Sequence, residues 1–215
     1  MSGPREVVLL GKGDLAIRIG EWFLASPDYT VVAVVPSMPA PKWTASLPAW
    51  AADRGLPVVA SGRVEDLPQL ADPTWRPGLA FSVFYSRIIK APFIARCRRI
   101  LNLHNGPLPR YRGVSPINWA LKNGEQSHGV TIHEITPGID DGPIVAQVSF
   151  SIYPEIDEVI DVYHRCLDFG WELFRQTMPR LDAIRPRPQD DALALYYSKQ
   201  QNDQLGERRD FRRRS

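Results

Sequence analysis

The hydrophobic positions of the chain fall into short apolar runs separated by stretches of helical spacing. The run EVVLLG is followed by DLAIRIGEWFLASPDY, in which apolar residues recur at helical intervals from Leu15 to Phe23. The β-branched run TVVAVVP comes next and is typical of a strand covered on both faces. Together the three segments predict a βαβ unit with a right-handed crossover, which begins an open parallel sheet.

The same alternation continues through the middle of the chain. Short helices are predicted at LPAWAADRG, RVEDLPQL and APFIARC, and the strand candidates between them are LPVVAS, GLAFSVFYSRII and RRILNLH. The segment SPINWALKNGE then carries the signals of a complete helix. Ser115 stands at the N-cap, Pro116 at the first helical position and Gly124 just beyond the end.

In the last third of the chain, GVTIHEI and PIVAQVSFSI predict two strands joined by the loop PGIDDG. The longest helical pattern follows them. Its predicted apolar face consists of Ile156, Val159, Ile160, Tyr163 and Leu167. Beyond Pro179 the pattern weakens into a proline-rich linker with one short strand candidate, ALALYYS.

These elements predict an α/β fold, a Rossmann-like open and mostly parallel sheet with helices on both faces. We expect a domain over residues 1–178, followed by a C-terminal linker, short strand and basic tail over residues 179–215. The 215 residues, 44% hydrophobic and 23% charged, suit one globular domain with a small appendage.

Charge and cysteine content narrow the function classes. The formal net charge is only +2, and part of the basic excess lies in residues 208–215, so no basic stripe suggests a nucleic-acid partner. Cys97 and Cys166 lie far apart without metal-ligand spacing, so we expect neither a disulfide nor a metal site. No apolar run is long enough to span a bilayer and no secretion signal is visible, which predicts a cytoplasmic protein without a membrane partner.

The glycine turn GKGDLA between the first strand and the first helix is a weak candidate for a phosphate site. Gly11 and Gly13 fit the first two positions of a dinucleotide-binding turn, but Ala16 replaces the third glycine. Asp14 would repel a phosphate. A tight structural turn in which Asp14 helps to cap the helix is the favoured interpretation.

Polar residues at the end of an apolar strand are the stronger candidates for chemistry. Ligands of open parallel sheets bind beyond the carboxyl ends of the strands, and RRILNLH ends in Asn102 and His104. Their spacing places both side chains on one face of the strand. Either residue alone is more commonly a paired structural group. The loop after a second strand, however, contains Asp140 and Asp141. An amide, an imidazole and a carboxylate together can perform acid/base chemistry and stabilise an oxyanion. A carboxylate beside the histidine is expected to raise the pKa of the imidazole.

The stretches LNLHNGPLPRYRG and HGVTIHEITPGIDDGPI resemble the 10-formyltetrahydrofolate-dependent formyltransferase family. The similarity extends over roughly residues 81–150, and the motifs occur in the same order and with similar spacing as in that family. It implies that Asn102, His104 and Asp140 are the catalytic set, whereas Asp141 stands where relatives vary. It also implies 10-formyltetrahydrofolate as cosubstrate, held largely through backbone groups at Ser86, Arg87, Ile89, Glu134, Thr136, Gly138 and Ile139.

The acceptor amine is left open among the branches of that family. We expect no C-terminal barrel like that of the enzymes that formylate initiator methionyl-tRNA, because few residues follow Asp140 in this sequence. The glycinamide ribonucleotide branch uses a Gly-Ser-Asn first turn, from which GKGDLA departs. The motifs are most similar to enzymes that formylate nucleotide-linked amino sugars, which implies a nucleotide-diphosphate amino sugar as substrate. We expect a homodimer, because dimers are common among cytosolic enzymes. The alternatives are another small amine, either glycinamide ribonucleotide or an ornithine-type amine, and a non-catalytic binding relative.

Overall fold

The computed structural model describes residues 3–206, which form two compact units. The first unit contains residues 3–103 and 134–138, and the second contains residues 104–133 and 139–206. The chain therefore passes from the first unit to the second between Leu103 and His104, inside one strand. The basic tail at residues 208–215 lies outside the described residues.

The first unit is built on parallel strands connected by helices. Its elements are β1 (Arg5–Gly11), α1 (Gly13–Ala25), β2 (Tyr29–Pro36), α2 (Leu47–Asp53), β3 (Leu79–Val83), α3 (Ala91–Ile94) and β4 (Ile100–His104). The strands lie in the order β2, β1, β3, β4, and each neighbouring pair is parallel. The direction of the strand order reverses beside β1, which creates a switch point at its carboxyl end.

The core of the first unit consists of the apolar runs that the sequence analysis identified as strands. All five residues of β3 are buried, and Val7 to Leu10 of β1 are completely inaccessible. The predicted βαβ unit is confirmed, with Leu15, Ile19 and Phe23 of α1 buried against it. Strands that are covered on both faces are continuous apolar runs, because the side chains on both faces are buried.

Two predictions in the first unit are wrong in detail. The candidate third strand LPVVAS makes only a single bridge, between Val34 and Val58, where Pro57 lacks an N–H for a longer ladder. The predicted helix in RVEDLPQL is two 3₁₀ turns, Val64–Asp66 and Pro68–Ala71. Leu67 stands before a proline, which disfavours the α conformation and breaks the helix there.

The glycine turn after β1 is a close contact between two strand ends. Gly11 has φ +143°, and a Cβ at this position would lie 2.1 Å from the Val83 carbonyl oxygen. The Lys12 N–H donates to that same oxygen at 3.2 Å. The expected cap from Asp14 is wrong, because its Oδ2 accepts a hydrogen bond from Thr44 Oγ1 at 2.7 Å and α1 has no side-chain cap. Asp14 still lies in the first turn, where a carboxylate stabilises the helix dipole.

The second unit combines a long antiparallel strand pair with two helices and a pair of two-residue strands. Its elements are β5 (Arg112–Gly113), α4 (Pro116–Lys122), β6 (Ser127–Glu134), β7 (Ile144–Ser151), α5 (Val159–Thr177) and β8 (Tyr196–Tyr197). Strands β6 and β7 are antiparallel, and β5 pairs with β8 in parallel. The predicted strand in ALALYYS is thus confirmed as β8.

Helix α5 packs through a different face from the predicted one. A capping box between Glu158 and Asp161 starts the helix at Val159, so Ile156 precedes it and is 70% exposed. Ile160 is exposed as well. The residues that α5 buries are Val162, Cys166, Gly170, Leu173, Phe174 and Thr177. The sequence offers two apolar stripes, and packing selected the second.

Helix α4 begins at the predicted place but without the predicted cap. Ser115 has φ 54° in the left-handed region, and its side chain does not cap the helix. Its hydroxyl instead accepts a hydrogen bond from Asn202 Nδ2 at 3.1 Å, a residue of the C-terminal 3₁₀ turn Lys199–Leu205. Within residues 3–206, no helix has the length and apolar character that crossing a membrane requires.

Candidate active site

Asn102 lies on β4 with its carboxamide oriented by the neighbouring strand. The hydroxyl of Ser82, which is buried on β3, donates to Asn102 Oδ1 at 2.8 Å. Because the oxygen of the carboxamide is used in this contact, the opposite branch is the nitrogen, which can only donate. The structure therefore fixes Asn102 as a hydrogen-bond donor at the carboxyl end of a parallel strand.

His104 is the last residue of β4 and is buried. Its Nε2 lies 2.8 Å from the Tyr111 carbonyl oxygen, which can only accept, so Nε2 carries a hydrogen. A side chain at Gly106 is excluded, because a Cβ there would lie 2.7 Å from the same nitrogen. The other ring nitrogen, Nδ1, lies 3.6 Å from Asp140 Oδ2. Both ring nitrogens of His104 thus have defined surroundings.

Asp140 follows β6 in a strained backbone conformation, with φ 51°. Its Oδ2 accepts a hydrogen bond from the Gly113 N–H at 2.9 Å, and its Oδ1 lies 3.4 Å from His133 Nε2. The carboxylate is therefore shared by two imidazoles and one backbone amide in the second unit. Its side chain is only 15% exposed.

The charge state of the pair follows from burial and from these contacts. Burial lowers the pKa of His104, and the opposing effect of Asp140 does not compensate. Burial raises the pKa of Asp140, but His104, His133 and the Gly113 N–H outweigh it and hold that pKa below its usual value. At neutral pH the arrangement is an ionised carboxylate beside a neutral imidazole.

Asp140 does raise the pKa of His104, as the sequence analysis expected, but burial lowers that pKa further, so the ring at rest is not charged. The reason is that desolvation in the interior opposes the charged ring more strongly than one neighbouring carboxylate favours it. Because Nε2 holds the only proton of the neutral ring, Nδ1 presents a lone pair toward Asp140 Oδ2. Two hydrogen-bond acceptors, His104 Nδ1 and Asp140 Oδ2, therefore face each other, and a proton can be bound between them.

His133 is a site residue that sequence reasoning missed. It lies on β6 and is 2% exposed at the side chain, with its ring centroid 6.3 Å from that of His104. The motif GVTIHEI contained it, but strand alternation alone gives no reason to expect contact with a carboxylate seven residues later. A polar residue on the buried face of an otherwise apolar strand was the available signal.

The loop after His104 is held by polar side chains of the hairpin. Thr131 Oγ1 donates to the Gly106 carbonyl at 2.7 Å and accepts from the Leu108 N–H at 3.2 Å. Gln147 Nε2 reaches the Leu108 carbonyl at 2.8 Å. Tyr111 and Trp119, which the sequence suggested as walls of a substrate cleft, are both buried, and Tyr197 stacks on each of them.

The residues expected to contact folate lie in two segments of the first unit, with one exception in the second. Ser86 and Arg87 are exposed after β3, and Ile89 is buried. Ile89 belongs to a core cluster against which Ile135 packs, so both segments are anchored on the same core. Glu134, Thr136 and Gly138 lie in the second of them; Ile139 belongs to the second unit and is exposed, as is Asp141.

Comparison with known families identifies the family to which this chain belongs. The formyl transferase model matches residues 69–178, a range that contains Asn102, His104, His133 and Asp140. The chain is a member of the formyl transferase family. It is therefore a transferase enzyme, as the sequence motifs indicated. Among residues 3–206, no cluster of three or more histidine, cysteine or acidic side chains could hold a metal ion.

Three solved structures are similar to this formyl transferase. An N-formyltransferase from Helicobacter canadensis, in complex with folinic acid and dTDP-3-aminofucose, is 26% identical with a TM-score of 0.78, covering 92% of this chain and 71% of that one. WlaRD, a sugar 3N-formyl transferase studied with dTDP and 5-N-formyl-THF, is 24% identical with a TM-score of 0.76, covering 93% and 71%. PseJ from Anoxybacillus kamchatkensis, in complex with a UDP-linked formamido sugar and tetrahydrofolate, is 23% identical with a TM-score of 0.65, covering 93% and 88%.

These likenesses confirm the predicted fold class, a mostly parallel Rossmann-like α/β arrangement. The second and third structures support the fold alone at their level of identity. All three structures also match part of the chain beyond residue 178, where the match to the family model ends.

Proposed function

We propose that the enzyme moves a formyl group from 10-formyltetrahydrofolate to the primary amine of a nucleotide-linked amino sugar. The observation that carries this proposal is the buried pair of His104 Nδ1 and Asp140 Oδ2, 3.6 Å apart, at the end of the strand that presents Asn102. The Helicobacter canadensis relative, bound to a folate and to dTDP-3-aminofucose, supports both substrate classes.

The neutral His104 and ionised Asp140 suit the removal of a proton from an attacking amine. An amine becomes acidic as it forms a bond to a formyl carbon, and an unprotonated imidazole within hydrogen-bond reach can accept its proton. Nδ1 of His104 is the unprotonated nitrogen, and Asp140 stabilises the imidazolium that results. His104 thus acts as the base, directly or through one water, and becomes charged during the reaction.

Asn102 suits the stabilisation of negative charge on the formyl oxygen. Ser82 fixes the carboxamide so that its nitrogen donates, and a pre-oriented donor requires no reorganisation in the transition state. The imidazolium of His104 adds a positive charge nearby on the same strand. Asn102, His104 and Asp140 are therefore our proposed catalytic set.

The residues of the first unit fit a pterin. Ile89 is buried and Ile135 is half-buried, and the segments around them, residues 86–89 and 134–138, offer backbone donors and acceptors to a flat ring with polar edges. We assign Ser86, Arg87, Ile89, Glu134, Thr136, Gly138 and Ile139 to this role. When bound, 10-formyltetrahydrofolate supplies the formyl carbon, whose bond to the folate nitrogen is replaced by a bond to the amine while that nitrogen gains the amine proton.

The first glycine turn favours an amino sugar over glycinamide ribonucleotide as acceptor. Asp14 is exposed at this turn and accepts a hydrogen bond from Thr44, so a carboxylate stands where the ribonucleotide phosphate needs donors. We further propose that residues 1–178 form the catalytic domain, that the segment 179–215 follows it, and that the enzyme is a cytoplasmic homodimer. The two cysteines in the described part of the chain are free thiols, which suits a reducing compartment.

Product mass spectrometry tests the proposed function. The purified enzyme is incubated with 10-formyltetrahydrofolate and a panel of dTDP- and UDP-linked amino sugars, with glycinamide ribonucleotide and ornithine as control amines. We expect a sugar nucleotide heavier by one formyl group, absent with His104→Ala. A product from a control amine alone would refute the sugar assignment, and no product from any amine would refute the transferase proposal for this panel. Sedimentation velocity tests the dimer.

A further inference from the structure

A side chain from far along the sequence holds the loop that carries Asp140. The carboxamide nitrogen of Gln189 donates to the Asp140 carbonyl oxygen at 2.8 Å and to the Gly142 carbonyl oxygen at 2.7 Å. A carboxamide nitrogen has two hydrogens, so both are used on this loop. Gln189 lies outside residues 69–178, the range that the family model matches.

Gln189 is itself held on its oxygen side. Its Oε1 accepts a hydrogen bond from Arg112 Nε at 3.0 Å, and the Arg112 guanidinium forms an ion pair with Asp191 at 2.7 Å. The Arg112 side chain is 11% exposed, so this contact is shielded from solvent. Every polar atom of the Gln189 carboxamide thus has a partner.

The contacts of Gln189 and of Asp140 converge on one short strand. Arg112, which binds Gln189, directly precedes Gly113, whose N–H binds the Asp140 carboxylate at 2.9 Å. The main chain of Asp140 is therefore tied to β5 through Gln189, and its side chain is tied to β5 directly. Strand β5 is fixed in turn by β8, through the pairs Arg112 with Tyr196 and Gly113 with Tyr197.

The backbone of Asp140 needs such support. Its φ of 51° lies in the left-handed region, which is sterically disfavoured for residues with a side chain, although aspartate tolerates it better than most. Surrounding contacts stabilise this conformation. The direction of the carboxylate depends on this conformation, because the side chain leaves the backbone at a fixed angle. A loop that relaxed to the right-handed region would turn Asp140 away from His104 and His133.

We propose that Gln189 is a positioning residue that fixes the left-handed backbone of Asp140 and thereby aims its carboxylate at His104 and His133. The catalytic consequence rests on the proposed function, whereas the effect on the loop does not. The C-terminal segment then contributes to catalysis through one carboxamide without touching the substrate.

The test variant is Gln189→Glu, which separates the two halves of the contact. Glutamate keeps the partner Arg112 but replaces the donating nitrogen by an oxygen that faces two carbonyl oxygens. We expect faster hydrogen–deuterium exchange in peptides that cover residues 137–143. We also expect kcat to fall at least about tenfold with less than about threefold change in either KM, since displaced catalytic groups cost rate rather than binding. Gln189→Ala serves as a second variant if the glutamate impairs folding.

The matched control is Gln200→Glu, which makes the same amide-to-acid change in the same C-terminal segment. Gln200 is exposed in the 3₁₀ helix Lys199–Leu205, and none of the hydrogen bonds described above that hold Asp140 involves it. We expect its kcat to stay within about twofold of the wild type, because a surface change away from the site is nearly neutral.

The outcomes separate this inference from the proposed function. Unchanged loop exchange in both Gln189 variants, or accelerated exchange with unchanged kcat, would overturn the positioning role. An equal loss of kcat in Gln200→Glu would also overturn it in favour of general destabilisation. If the wild type transfers no formyl group, the proposed function fails while the exchange data still decide whether Gln189 holds the loop.

Discussion

At the scale of single residues, Asn102 has the most direct predicted effect. Replacement by alanine removes a donor to the formyl oxygen, and we expect kcat to fall about 10²-fold with little change in KM for the amine. Steady-state kinetics with the amine found by product analysis measures this loss. In Ser82→Ala, which only frees the carboxamide to rotate, the loss should stay below about tenfold. An equal loss in the two variants would argue that Asn102 acts structurally.

His104 and Asp140 predict a pH profile. If neutral His104 accepts the amine proton, activity is lost as the ring becomes protonated, and burial places that pKa below 6.5. We therefore expect kcat/KM to level off above pH 6.5 and to decline below it. In Asp140→Asn the neighbouring negative charge is gone, so the pKa of His104 and the acid limb should move to still lower pH, with a lower plateau. An acid limb centred above pH 6.5 in the wild type would contradict the neutral resting state.

At the scale of elements, the contact between the ends of β1 and β3 predicts an unequal pair of glycine substitutions. Gly11→Ala combines a positive φ with a Cβ 2.1 Å from the Val83 carbonyl oxygen, whereas Gly55→Ala has a positive φ but no atom within 4 Å. We expect a loss of at least about 3 kcal/mol for Gly11→Ala, where a backbone must move. For Gly55→Ala we expect about 1 kcal/mol from strain alone.

Urea denaturation of both variants measures the free energy of unfolding. Equal losses would show that the strand ends can separate without cost, in conflict with the parallel pairing of β1 and β3. The close approach of the Val83 carbonyl oxygen also explains why glycine is needed at position 11, although the spacing of this turn resembles that of a dinucleotide-binding turn.

At the scale of the whole molecule, His128 predicts how stability depends on pH. Burial lowers the pKa of His128 from 6.5 to about 4. The unfolded chain therefore binds a proton at a higher pH than the folded chain does. The stability that the neutral ring contributes is complete above pH 6.5 and is lost as the pH falls toward 4, by up to about 3 kcal/mol. The lowered pKa of His104 acts in the same direction.

His128→Gln tests this dependence. Glutamine keeps a donor for the Asn105 carbonyl oxygen, which His128 Nε2 contacts at 2.8 Å, but does not titrate. We expect the free energy of unfolding of the variant to change less between pH 7 and pH 4.5 than that of the wild type. Identical slopes would assign the pH dependence to other groups.

The sequence by itself determined the elements whose residues are chosen by local rules. Predominantly apolar runs predicted β1 to β4, because parallel strands are buried on both faces. The end of β4 and the loop after β6 supplied candidates for chemistry, because ligands bind at strand ends, and the family resemblance selected Asn102, His104 and Asp140 among them. Prediction from the sequence failed where local rules are compatible with two structures. Helix α5 has two apolar stripes, and only packing selected the one that includes Val162 and Cys166.

Only the tertiary structure decided the chemistry of the site. The charge of His104 depends on how deeply the ring is buried, which a sequence does not state. The contact of His133 with Asp140 and the anchoring of Asp140 by Gln189 join residues 7 and 49 positions apart. Such pairs are set by how loops close in space, since spacing along the chain encodes neighbours within an element but not between distant loops.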